Sequence, residues 1–121
     1  MKMIAADTLV ALVALLHVYF LVLEMFLWTK PTGLRVFNQS LEKARDSAVL
    51  AANQGLYNGF LAAGLAWGLL HPAPAVAFQI KVFFLACIVI AGIYGAVTVS
   101  KRILMVQALP AAIALALLLI P

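Results

Sequence analysis

Four long apolar runs set the pattern of the chain, near residues 8–28, 48–70, 76–99 and 103–120. Within each run the apolar residues are continuous rather than alternating, which excludes the signature of a membrane β-barrel. Each run is close to the ~20 residues that a helix needs to cross a hydrocarbon layer. The pattern predicts an all-α membrane protein, a four-transmembrane-helix bundle formed by a single domain over residues 1–121. One long connection, 29–47, joins runs one and two; those at 71–75 and 100–102 are short.

Polar residues interrupt the runs at a few places. The second run opens Ala51-Ala52-Asn53-Gln54-Gly55-Leu56-Tyr57-Asn58-Gly59-Phe60. Hydrogen-bonding side chains in hydrocarbon cost several kcal/mol each, roughly, unless they find partners. At about 100° per residue Asn53 and Tyr57 fall close together. Gln54 and Asn58 extend that arc, and Gly55 and Gly59 lie roughly opposite, where a neighbouring helix is expected. Gly64 and Gly68 return to the side of Asn53 and Tyr57.

In run one, Asp7-Thr8 reads as a helix cap. His17, Glu24 and Trp28 share a stripe, since seven residues make close to two turns. Trp28 and Lys30 read as an interfacial anchor, and Ser40 as the cap of a helix through Leu41-Glu42-Lys43-Ala44-Arg45 that lies at the surface or extends run two inward. Run three carries Tyr94 and Thr98 with Gly92 and Gly95, and run four carries Gln107 and Pro110. Ser100-Lys101-Arg102 leaves room only for a tight turn, so runs three and four should form a hairpin.

Composition agrees. Of 121 residues, 67% are hydrophobic and 10% charged, with mean hydropathy +1.15. A soluble domain of this size has too little interior for that much apolar surface. The net charge of +4 is not a nucleic-acid signal, because Lys and Arg gather at run ends. Lys30, Arg35, Lys43 and Arg45 lie in the first connection and Lys101 and Arg102 in the third, against Lys2 on the other side; Lys81 should snorkel outward. The positive-inside rule places connections 29–47 and 100–102 in the cytoplasm and both termini outside, giving a multi-pass protein of the cell inner membrane. Run one is too long for the apolar core of a secretory signal, and no small-residue cleavage site follows it, so it reads as a genuine span. Cys87 is alone and reads as a small buried residue.

At these depths Glu24, Asn53, Gln54, Tyr57, Asn58, Tyr94, Thr98 and Gln107 fall in the cytoplasmic half, and His17 just deeper. An intramembrane carboxylate is expensive and tends to mark function, while amides in such helices serve equally well as interhelical hydrogen bonds. Glu24 and His17 are the candidate catalytic or proton-active groups; Asn53, Gln54, Tyr57, Asn58 and Tyr94 are the candidate ligand contacts. No hydrolytic triad, phosphate-binding glycine loop or paired metal ligands occur, so no metal is expected, and no motif specifies a cofactor.

The combination His17-x-Tyr19…Glu24-Met25-Phe26-Leu27-Trp28, followed by Ala51-Ala52-Asn53-Gln54-Gly55-Leu56-Tyr57-Asn58-Gly59-Phe60-Leu61-Ala62-Ala63-Gly64, resembles the small integral membrane proteins grouped as domain of unknown function 1304. The resemblance runs over essentially the whole chain. It implies a four-span bacterial membrane protein and no particular activity. The membrane-associated eicosanoid and glutathione enzymes are similar in architecture, but the position of their conserved-pattern Glu is Leu56 here and their paired arginines are missing. Small multidrug transporters share a glutamate in span one, with a shorter first connection and weaker charge bias.

Three functions are compatible with this reading. The leading one is a polar pocket in the cytoplasmic half that binds a small amphipathic or lipid-like ligand, with proton transfer through Glu24 or His17 as its chemistry. The second is a proton-coupled exporter using Glu24 and His17. The third is a non-catalytic assembly subunit with Gly55 and Gly59 as the contact. A homo-oligomer in the lipid bilayer is expected in each case.

Overall fold

The computed structural model of the chain describes residues 2–121, with side chains from Met3 onward. The Lys2 side chain, expected on the outer side, therefore lies outside the described residues. The chain is 86% helix, with no strand among the described residues. The α-helices are α1 (Lys2–Met25), α2 (Pro31–Val36), α3 (Leu41–Leu70), α4 (Pro74–Thr98) and α5 (Leu109–Leu119), and a π-helical turn, Leu104–Ala108, leads into α5.

The beginning of α1 differs from the sequence expectation. Asp7 and Thr8 do not cap it, because the helix already runs from Lys2. Thr8 turns its hydroxyl onto the Ile4 carbonyl at 2.7 Å, and Asp7 is engaged by Lys81. After Met25 the chain turns into α2, where Pro31 suits a first helical turn with its fixed φ and missing N–H. A side chain at Gly33 would run into the Leu27 carbonyl, so glycine lets α2 fold back on the end of α1. Asn38 has φ 49°, a left-handed conformation that Asn tolerates. Ser40 then caps α3, its Oγ accepting from the Lys43 N–H at 3.2 Å. The short helix expected at Leu41–Arg45 is continuous with the second apolar run, and together they make a 30-residue helix.

The turn after α3 is closed by the Ala73 N–H donating to His71 Nδ1 at 3.1 Å, and Pro74 opens α4. Pro110 has no N–H to give and its ring crowds the carbonyl four residues back. The π-helical turn lies immediately before it, where the looser i→i+5 pattern relieves that crowding.

The chain forms two compact units, residues 15–62 and residues 1–14 with 63–121. In the first, the small face of α3 at Gly55 and Gly59 lies against Leu21, Glu24 and Met25 of α1, and Leu23, Ala44, Ala51 and Ala62 are buried. In the second, the Phe84 ring covers Gly64, the stem of Lys81 crosses Gly68, and the backbone of Ala108 meets Gly92. Val10, Leu65, Leu85, Ile88, Ala111 and Ala114 are buried there.

Two helical stretches, Met3–Met25 and Pro74–Thr98, are long and apolar enough to cross a membrane; Leu104–Leu119 is apolar but shorter. Helix α3 has the length, but Asn53, Gln54 and Asn58 dilute its apolar character.

Candidate functional site

Helix α1 carries Glu24 on the side that meets α3, and the missing side chains of Gly55 and Gly59 bring the two helices close. A Cβ at Gly55 would stand 2.6 Å from Met25 Cγ and 3.1 Å from Glu24 Cβ. In this gap Asn58 Nδ2 donates to Glu24 Oε1 at 2.5 Å. Asn58 is 5% exposed, whereas Glu24 is only half-buried. The carboxylate therefore meets a neutral amide rather than a cation, and keeps capacity for a further hydrogen-bond donor.

The other predicted site residues are placed elsewhere. His17 is fully buried, with its ring edge-on to Phe20 at 5.5 Å. Asn53 and Gln54 are exposed. Asn53 Nδ2 is turned back onto the Val49 carbonyl of its own helix at 3.0 Å. Tyr57 is 52% exposed and lies near Phe60, ring centroids 6.2 Å apart. Tyr94 belongs to the other compact unit and is 70% exposed, its carbonyl accepting from the Thr98 hydroxyl. Of the seven candidates, the structure joins Glu24 and Asn58 by a hydrogen bond and leaves Asn53, Gln54 and Tyr57 on an outer face of α3. The reason is angular: on the helical wheel Asn58 lies about 60° from Gly55 but about 100° from Tyr57, so it turns inward beside that glycine.

One polar contact differs from the sequence expectation, and another adds to it. Lys81 does not snorkel outward: its side chain is 5% exposed, and Nζ is 2.8 Å from Asp7 Oδ1. Gly68 makes room for its stem, with Lys81 Cγ 2.6 Å from where a Cβ would stand. The placement of Asp7 and Lys81 near the same end of their helices was the available signal. Trp28, expected as an interfacial anchor, donates from Nε1 to Ser47 Oγ at 3.1 Å. Its ring packs on Phe37, centroids 4.8 Å apart. Ser47 passes the bond on to the Lys43 carbonyl. This ties the turn after α1 to the first turns of α3.

An open groove of about 220 Å³ lies in the other unit, lined by Val89, Ile93, Leu104, Met105 and Leu109. Its lining is apolar throughout and includes none of the predicted site residues.

The sequence model of the family described as "Protein of unknown function (DUF1304)" matches residues 11–119. The chain belongs to the DUF1304 family. The matched stretch contains Glu24, Asn58 and Lys81, while Asp7 precedes it. Among curated proteins, this DUF1304 chain is similar to "Uncharacterized protein YpaA" of Lactococcus lactis subsp. lactis (strain IL1403), with 35% identity over 98 residues, covering 79% of this chain and 81% of that protein. No solved structure matches it.

Proposed function

We propose that this DUF1304 protein crosses the bacterial inner membrane four times, through α1, α3, α4 and the π-helical turn with α5. Connections 29–47 and 100–102 are then cytoplasmic and both termini outside. The asymmetry of Lys and Arg between the two sets of connections supports this orientation, and two helices have the required length and apolar character.

The Glu24–Asn58 pair is the polar end of a binding site for a small amphipathic, lipid-like molecule that enters from the cytoplasmic leaflet. One observation carries this reading: a carboxylate within an apolar helix, half-buried, whose hydrogen-bond partner is an uncharged amide. Such a carboxylate is costly in hydrocarbon, and a ligand with a hydroxyl, amine or amide head and an apolar tail lowers that cost by donating to it. Asn58 orients the carboxylate, and the close approach of α1 and α3 at Gly55 and Gly59 holds the pair together. Any chemistry here is proton transfer to or from the bound head group at Glu24. His17, two turns deeper along α1, supports the helix rather than touching the ligand.

Native mass spectrometry of the protein extracted in mild detergent tests this. The wild type and Asn53→Ala should retain a small amphipathic molecule. Glu24→Gln and Asn58→Leu should retain at least about tenfold less, the factor that corresponds to ~1.4 kcal/mol. Equal retention by Glu24→Gln overturns the proposal.

A further inference from the structure

The outer face of α3 has its own logic. Leu50, Asn53, Gln54, Tyr57 and Phe60 are all exposed, and they recur at the three- and four-residue spacing of a helix–helix seam. Among the described residues, neither the Gln54 amide nor the Tyr57 hydroxyl has a hydrogen-bond partner. Asn53 has only its own helix's Val49 carbonyl, which leaves its Oδ1 free to accept. The glycines that were expected to hold an assembly contact are already used against α1.

We infer that this seam is where a second copy of the chain docks, α3 against α3. The inference rests on the four-span reading above: hydrocarbon offers no donor or acceptor, so a polar stripe at this depth must be met by another polar stripe. A second copy fits for two reasons. Asn and Gln side chains both donate and accept, so each is complementary to its own image. No Asp, Glu, Lys or Arg occurs between Ser47 and Ile80, so the seam neither repels its image nor selects a partner of opposite charge. A two-fold axis along the membrane normal places Gln54 and Tyr57 of both copies at the same depth, as an isologous contact requires. Polar residues on a helix seam are a known device for fixing register and copy number.

The test uses the full chain in liposomes. Flotation first establishes membrane insertion. Labelled copies are then diluted with lipid and energy transfer is followed, and Tyr57→Cys is oxidised in a Cys87→Ser background beside Ile90→Cys on α4 as a control. The expected results are transfer that persists on dilution and a cross-linked dimer through position 57 but not 90. Association should be at least tenfold weaker in Asn53→Leu with Gln54→Leu, and unchanged in Asn53→Gln and Glu24→Gln. An inserted chain that is monomeric on dilution, or that cross-links through 90 as readily as through 57, overturns the inference. A chain that fails to float overturns the four-span reading and this inference with it. A ligand result independent of Glu24 overturns only the pocket and leaves the seam standing.

Discussion

Helix α1 presents two carboxylates, and the chain answers them differently. Asp7 meets the ammonium of Lys81, a cation whose side chain is almost wholly enclosed. Glu24 meets the amide of Asn58. The first contact is closed, since each charge cancels the other and the stem of Lys81 is seated on Gly68. The second is open, since an amide supplies a dipole and one hydrogen bond but no opposite charge. A closed pair is suited to holding helices together, and an open one to meeting something that arrives from outside the chain. The difference separates the two contacts more clearly than residue type does.

The strongest way to break this contrast is to remove the counter-ion. Asp7→Ala leaves Lys81 enclosed and unpaired. Losing one partner of a fully buried pair costs ~3–5 kcal/mol, and the partial exposure of Asp7 brings the expected loss down to about 2 kcal/mol, measured by thermal unfolding in detergent. Adding Lys81→Met should recover most of it, because the stranded charge is gone. Asn58→Leu comes next, with an expected loss of ~1.5 kcal/mol from the hydrogen bond to Glu24, accompanied by loss of any bound molecule. If Asn58→Leu unfolds the chain as strongly as Asp7→Ala, the second pair is also a clamp and the contrast collapses. Gly55→Ala sharpens it: the new methyl meets the flexible Met25 side chain first, so about 1 kcal/mol of overpacking is expected, with ligand retention falling further than stability does. Asn53→Ala should change the stability of the single chain by less than ~0.5 kcal/mol, because within one chain it removes only a bond to its own helix.

The helices were legible because their signals are local. The apolar runs and Ser40 before Leu41 each act within one or two turns, whereas the short helix α2 inside the 29–47 connection was not expected. The long-range partners were not legible in the same way. Asp7 is 74 residues from Lys81 and only their placement near the same end of their helices hints at the pair, so the default for a lysine in an apolar helix was outward snorkelling. The polar arc of α3 shows a third kind of limit. A helical wheel gives the angles between Asn53, Tyr57 and Asn58, but only the neighbouring helix decides where that arc is cut. Here the cut falls before Asn58, and one apparent cluster becomes an inward amide and an outward stripe.

Helix α3 spans 30 residues, about 45 Å at ~1.5 Å per residue, while a hydrocarbon layer is only ~30 Å thick. Within the four-span reading the second span starts near residue 48, so some seven residues at the Ser40 end of α3 stand in water as a charged stalk bearing Glu42, Lys43, Arg45 and Asp46. The same rigid rod carries Asn58 at membrane depth. A soluble protein or antibody fragment gripping the stalk would thus hold a handle mechanically continuous with the partner of Glu24, without ever entering lipid.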